Sequence, residues 1–365
     1  MNHVSVLEIS LAALQHNYNF FKSRLLKSTK ILGVVKAFGY GSESVAIAKH
    51  LETLGANYLA VAYVKEGLVL RKAGVKLPIL VLHPQIAQFD LLIENCLEPN
   101  LYNFRSLEAF LNMVSKTKLD NYPIHIKFNT GLNRLGFVVD DISKIISILK
   151  ATTSVKLASI FSHLAASEDL SEKTFTLNQI SQFKAISKTL IKELGYTPMQ
   201  HILNTSGVVN YSESQFDMVR IGIGLYGFGN EENITKQLEL VGVLKSKISQ
   251  IHNIEAGQTV GYNRAFTSAT AIKTATIPIG HADGVSRQQG NGVGYVYINN
   301  QKAFIIGNVC MDMLMVNVTD IACAEGDAIF IYRDQAHIED LAAKQNTIPY
   351  ELLTAISQRI GRKIV

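Results

Sequence analysis

The strongest constraint on the fold is a rhythm. Between about residues 30 and 225, eight short apolar runs alternate with longer amphipathic segments: ILGVVK (31–36), NYLAVA (57–62), PILVL (78–82), EPNLY (98–102), PIHIKF (123–128), VKLASIFSH (155–163), MQHILN (199–204) and DMVRI (217–221). The intervening stretches 43–54, 64–73, 104–116, 140–150 and 171–194 carry helical periodicity, the last behind a Ser171–Glu172 start signal. Strands separated by helices pair in parallel, and eight such units in ~200 residues predict a (β/α)8 barrel of TIM type. After residue 230 the texture becomes period-2, punctuated by Gly and Asn, with Asn299–Asn300 as a hairpin turn. This predicts a mostly β domain closed by a helical tail near 338–345 and 349–359. The expected division is a barrel over 11–235 and a β domain built from 1–10 and 236–365.

Composition removes several classes of function. The net charge of +5 is spread along the chain, so no nucleic-acid footprint emerges. Cys96, Cys310 and Cys323 are odd in number and lack paired spacing, which argues against a disulfide framework and a zinc site, and fits a reducing compartment. MNHVSVLEIS lacks the pattern of a secretory leader, and no apolar run approaches the ~18 residues that span a bilayer. A cytoplasmic protein with no metal, nucleic-acid partner or membrane is expected.

Barrel enzymes carry their chemistry where strands end. On this reading Lys36 ends the first strand, Lys127 the fifth, His163 the sixth, Asn204 the seventh and Arg220 the eighth. Gly39 and Gly41 permit a tight turn beside Lys36, and Tyr40 adds a hydroxyl. A lysine in such a pocket can form a Schiff base with an aldehyde cofactor. Asn204-Thr205-Ser206-Gly207 and Gly222-Ile223-Gly224 follow the last two strands, where barrels commonly bind phosphate. Gly222, Gly224 and Gly227 also spell a dinucleotide fingerprint, but at the end of the barrel run rather than before a helix leading to another strand. The NAD reading is set aside.

With these residues in place, the chain resembles the alanine racemases, fold-type III pyridoxal-phosphate enzymes, across nearly its full length. VVKAFGYG resembles their cofactor-lysine signature, KFNTGLNRLGF their substrate-arginine segment, and FSHLAASED the segment whose histidine stacks on the pyridine ring. HILNTSG, MVRIGIGLYG, VGYNRAF, PIGHADG, IGNVCMDMLMV and PYELLTAISQRIGR continue the series in order. The resemblance implies pyridoxal 5'-phosphate on Lys36, which acts as one base while Tyr262 acts as the other. It implies that Arg134 and the Met311 backbone hold the substrate carboxylate, and that Tyr40, Thr205, Gly222, Ile223 and Tyr350 surround the phosphate, supported by Asn204. It places Arg220 at the ring nitrogen, makes Lys127 the counterpart of an often carbamylated lysine, and gives His281 and Asp312 supporting places. It further implies a homodimer in which Tyr262 and Met311 enter the partner's barrel, and D-alanine made for peptidoglycan.

Four positions depart from the family pattern: Phe38 for Asp or Asn, Ser42 for His, Asn129 for Asp, and His281 for Tyr. The last lies at the expected constriction above the cofactor, so a racemase of broader preference, for serine for example, is the main alternative. A pyridoxal-phosphate decarboxylase is compatible with Lys36, Cys310 and Asp312 but not with VGYNR or VCMDMLMV. A non-enzymatic cofactor-binding protein would share the barrel and lack the last ~130 residues.

Overall fold

The computed structural model describes residues 3–117 and 119–365. A short strand, β1 (Val6–Ile9), and a helix, Leu11–Lys22, precede the barrel. Among the described residues, eight strands then follow the predicted runs: β2 (Lys30–Val34), β3 (Tyr58–Val61), β4 (Ile79–Val81), β5 (Glu98–Leu101), β6 (Tyr122–Lys127), β7 (Val155–Phe161), β8 (Met199–His201) and β9 (Met218–Ile221). They form one parallel sheet in the order β8-β7-β6-β5-β4-β3-β2-β9. The two ends meet through Asp217 N donating to Gln200 O (3.1 Å) and Arg220 N to Leu203 O (3.0 Å), which closes the barrel. Leu59, Val61, Ile79, Val81, Ile124, Ile126 and Ile160 are fully buried, as expected of strands covered on both faces.

Three strands predicted to end on a site residue stop before it. Lys36 lies two residues beyond β2, His163 two beyond β7 and Asn204 three beyond β8, while Arg220 lies inside β9 rather than at its end. The chain stays near its neighbours after the ladder stops, as Val35 N donating to Ala60 O (2.9 Å) and Ser162 N to His201 O (3.3 Å) illustrate. Apolar content continues past the last ladder pair, so the sequence overstates strand length. The helix predicted from 171 begins at Lys173, behind a 3-10 turn at Leu170–Glu172 in which the Ser171 N–H (2.9 Å) and hydroxyl (2.6 Å) donate to Asp169 Oδ1.

The chain then builds β10 (Gly242–Lys247), β11 (Gln250–Ile254), β12 (Thr259–Val260), β13 (Phe266–Thr267), β14 (Ile272–Ile277), β15 (Tyr295–Ile298), β16 (Gln301–Ile306), β17 (Leu314–Asn317), β18 (Ala328–Tyr332) and β19 (Gly361–Ile364). Nine strands join in the order β11-β14-β17-β16-β15-β18-β10-β1-β19, so β1 belongs to this sheet. β15 and β16 turn at Asn299 and Asn300, whose φ of 47° and 65° suit a two-residue hairpin turn. The tail forms helices Gln335–Lys344 and Pro349–Ala355; the second stops short of the expected 359, and the last residues form β19 instead. Arg362 of β19 donates to the carbonyls of Gly41 (2.8 Å) and Ser42 (3.1 Å), tying the chain end to the barrel mouth.

Candidate active site

Alternation inside three barrel strands builds the site's floor. On β5, β6 and β7 every second side chain points inward, giving Glu98 and Asn100, His125 and Lys127, Ser159 and Phe161. The upper three line a cavity of about 450 Å³ with Lys36, Tyr40, Arg134, His163, Asn204, Thr205, Arg220, Gly222, Ile223 and Tyr350. The barrel residues to which the sequence assigns a catalytic, substrate or cofactor place, and Tyr350 of the tail, therefore meet at one mouth.

Lys36 opens a turn of unusual hand. Ala37, Phe38, Gly39 and Tyr40 have φ of 53°, 56°, 64° and 51°, followed by Gly41 at 79°. Left-handed conformation costs an ordinary residue roughly 1–2 kcal/mol, so three non-glycine residues in a row of five need support. Glu66 supplies part of it, accepting from Ala37 N (2.7 Å) and Ala62 N (2.6 Å). Packing supplies the rest, since a Cβ on Gly41 would stand 1.9 Å from Leu353 O. Glu66 was not singled out from the sequence; its place at the third position of a helix that follows a strand end was the available signal.

The charges at the mouth are mostly positive. Burial first, and then Arg134, hold the Lys36 amine below the usual lysine range, against an opposing pull from Glu66. Burial with Arg134, Arg220 and Lys36 around it brings Lys127 down to about 8. Burial pushes the Arg220 guanidinium down to about 9, so it is still charged at neutral pH. Its donors reach His201 Nδ1 (2.6 Å), His163 Nδ1 (3.1 Å) and the carbonyls of Ser162 (2.7 Å), Ile202 (3.0 Å) and His201 (3.2 Å). A guanidinium only donates, so both histidines accept at Nδ1 and carry their proton on Nε2. Burial and Arg220 hold both far below the usual imidazole range, consistent with neutral rings. His201 had gone unnoticed, although a histidine inside an apolar strand was a visible signal.

Arg134 stands on a loop shaped by Asn129, which accepts from Gly131 N (3.2 Å) and Asn133 N (2.9 Å) and donates to Asn133 Oδ1 (2.8 Å). At the opposite wall Thr205 Oγ1 accepts from Gly222 N (3.2 Å) and Gly224 N (3.3 Å). A Cβ on Gly222 would approach Tyr40 Oη to 2.5 Å, and one on Gly224 would approach Phe21 to 2.4 Å. Asn204 caps the short helix Thr205–Asn210, and Asn230 Nδ2 donates to Tyr350 Oη (3.2 Å). The hydroxyls of Tyr40, Thr205 and Tyr350 and the backbone of Gly222 thus form a cup too tight for side chains, and with the two glycine N–H groups spent on Thr205 Oγ1 the threonine proton is free to donate, which fits a phosphate. An amine with a depressed pKa at the other end fits an aldehyde carbon.

The remaining predicted residues lie elsewhere. Tyr262 is 72% exposed and Met311 59% exposed; neither lines the cavity, and both line an open groove on the β domain with Asp312. His281 is exposed beside that groove, its N–H on Cys310 O (2.9 Å) and the next N–H on Met311 O (3.0 Å). Asp312 pairs with Arg359, which also holds buried Asp283. Among the described residues no group of three or more His, Cys, Asp and Glu could hold a metal ion, and no helix is long and apolar enough to cross a membrane.

Comparison with known proteins follows the same two-part layout. Residues 9–229 match the family described as "Alanine racemase, N-terminal domain" and 241–364 that described as "Alanine racemase, C-terminal domain". The alanine racemase of Helicobacter pylori strain P12 is 34% identical over 376 residues, covering 99% of each chain. That of Thermodesulfovibrio yellowstonii is 34% identical over 370 residues, covering 98% of this chain and 97% of its own. The solved alanine racemase of Clostridium difficile 630 superposes with a TM-score of 0.94 at 31% identity, covering 100% of this chain and 96% of its own. That of Bartonella henselae, whose structure has covalently bound pyridoxal phosphate, gives 0.89 at 28% identity with full coverage of both. A barrel mouth lined with Lys36, Arg134 and Arg220, joined to this β sheet in full-length relatives, shows that the chain belongs to the alanine racemase family of isomerases.

Proposed function

We propose that this protein interconverts L- and D-alanine with pyridoxal 5'-phosphate on Lys36, as a homodimer whose cavities each receive Tyr262 and Met311 of the partner subunit. The cofactor would bind the substrate amine covalently and draw electrons from its α-carbon. The observation that carries the reading is the cavity, where a deprotonable amine, a phosphate-sized donor cup and the Arg134 guanidinium face one space.

Inversion at a carbon needs a base on one face and an acid on the other. Lys36 Nζ takes or returns the α-proton on the D side, helped by the neighbouring charge of Arg134 that favours the neutral amine. Tyr262 of the partner subunit does the same on the L side. His163, neutral and held at Nδ1 by Arg220, keeps a proton on Nε2 that can stabilise the phenolate of that tyrosine. Arg134 grips the substrate carboxylate with the N–H of Met311 of the partner subunit. Arg220 would face the ring nitrogen as a cation at neutral pH, a weaker acid there than a carboxylic acid or an imidazolium, and so limits the electron demand on the α-carbon. Lys127, with a pKa near 8, has enough neutral amine at mildly alkaline pH to take up carbon dioxide as a carbamate that would orient Arg134.

D-Alanine made in the cytoplasm would serve peptidoglycan synthesis. Incubation with L-alanine and, separately, L-serine, with and without added cofactor, tests the reading by optical rotation. Cofactor-dependent loss of rotation with alanine is expected, and no racemisation of either amino acid overturns it. Faster turnover of serine would favour the broader racemase, for which His281 is the motivating observation.

A further inference from the structure

Beneath the cavity floor, five side chains on adjacent barrel strands join in one line. Arg220 Nη1 meets His201 Nδ1 (2.6 Å), His201 Nε2 meets Ser159 Oγ (2.9 Å), Ser159 Oγ meets His125 Nδ1 (2.6 Å), and His125 Nε2 meets Glu98 Oε2 (2.6 Å). His125, Ser159 and His201 are fully buried and Glu98 is nearly so.

The ends fix the direction of every bond. Arg220 can only donate, so His201 accepts at Nδ1 and donates from Nε2 to Ser159. The serine proton is then free for His125 Nδ1, and His125 donates from Nε2 to the Glu98 carboxylate. With His125 charged, Ser159 Oγ would have to accept from both rings, and its own buried proton would be left without an acceptor in the line. The order in which every buried polar atom of the line is satisfied has His125 donating only to Glu98.

The arrangement also answers a charge problem. Among the described residues no carboxylate lies within ion-pair distance of buried Arg220, and an unpaired buried charge is costly. Glu98 carries the opposite charge at the far end of the line, where Tyr58, Arg71 and Tyr122 also feel it, while Lys127 lies on the Arg220 side. The ring of Phe161 lies parallel to His201 at 4.8 Å and Tyr58 packs edge-on to His125 at 6.0 Å, which holds both imidazoles in plane.

We infer that Glu98, His125 and Ser159 are positioning residues that supply Arg220 with a remote counter-charge through a one-way hydrogen-bond line. A carboxylate in direct contact would take up guanidinium donors; the remote one leaves Nη2 on His163, so one line orders both histidines beside the cavity. Its consequence for catalysis rests on the proposed racemisation, whereas the proton order does not.

Long-range 1H–15N spectra of histidine-labelled protein, with and without cofactor, test the order directly. Both rings are expected to carry a proton on Nε2 and to accept at Nδ1, and a proton on Nδ1 of His125 would overturn the inference. Ser159→Ala leaves His201 pinned by Arg220 and His125 by Glu98 but breaks the line between them, so kcat should fall about tenfold with KM within twofold, and Ser159→Thr should restore it. An unchanged kcat in Ser159→Ala would overturn the inference. Glu98→Gln keeps an acceptor for His125 but removes the charge, so the acid limb of kcat/KM should move to lower pH by about half a unit. An unmoved limb refutes the counter-charge. Absence of racemisation by the unaltered protein would defeat the proposed function while the spectra still decide the relay.

Discussion

The barrel cavity and the β-domain groove present opposite solutions to placing a reactive side chain. In the cavity, Arg220 meets five acceptors and Lys36 sits behind a strained turn held by Glu66 and Gly41. In the groove, Tyr262 stands 72% exposed on a loop in which Gly261, Asn263 and Arg264 all have positive φ, with Asn308 Nδ2 donating to its carbonyl (3.2 Å). The first region is ordered by its own chain. The second presents a tyrosine and a methionine to the outside, where the proposed dimer would cover them.

That contrast can be broken by separating the two halves. Lys36→Ala and Tyr262→Phe should each lower racemisation by at least about a thousandfold, with Lys36→Ala also losing covalent cofactor absorbance. Mixed and reassembled in equal amounts, they should recover about a quarter of normal activity, because half the dimers gain one intact site. No recovery would place Tyr262 outside the partner's cavity.

A smaller effect is expected at the donor cup. Gly222→Ala sets a methyl against Tyr40 Oη, so cofactor affinity measured by titration of the apoprotein should fall about tenfold or more, while Gly292→Ala, which strains a φ of 83° in the β domain but does not line the cavity, leaves the affinity unchanged.

Lys127 offers a test of the crowded positive charge. Its folded pKa of about 8 lies below the ordinary value near 10.4, so the unfolded chain binds more protons between these limits and stability rises with pH across them. Lys127→Met should therefore stabilise carbon-dioxide-free apoprotein by about 1–3 kcal/mol at pH 7 and by progressively less toward pH 10, in denaturant titrations. A gain that is flat with pH would mean the amine is not depressed. Smallest of all, His281→Tyr is expected to change the ratio of serine to alanine turnover less than tenfold, since it stands beside the groove that the proposed dimer brings to the cavity without lining the groove itself.

Much of this was legible in the chain. The eight runs named strands because parallel strands buried on both faces are continuously apolar, and their polar interruptions fell at the mouth. The left-handed turn was only half visible: Gly39 and Gly41 announced a bend, but Ala37, Phe38 and Tyr40 give no local sign of positive φ and adopt it under packing from elsewhere. The relay was hidden for a different reason. Between Ile124 and His125 the pairing of β6 with β7 slips by one residue, moving from Leu157 to Ser159, and this slip sets His125 opposite the serine. Cross-strand register of that kind depends on the closed sheet, not on either strand alone.

The Lys36 turn also has a bearing on truncation. Its Gly41 carbonyl is gripped by Arg362 and its glycine lies against Leu353, both within the last residues of the chain. More than three hundred residues of sequence separate the lysine from its fastening. A chain cut before Leu353 would carry the whole barrel sequence yet leave the lysine's turn unfastened, so the proposed capture of the cofactor would depend on a segment far outside the barrel.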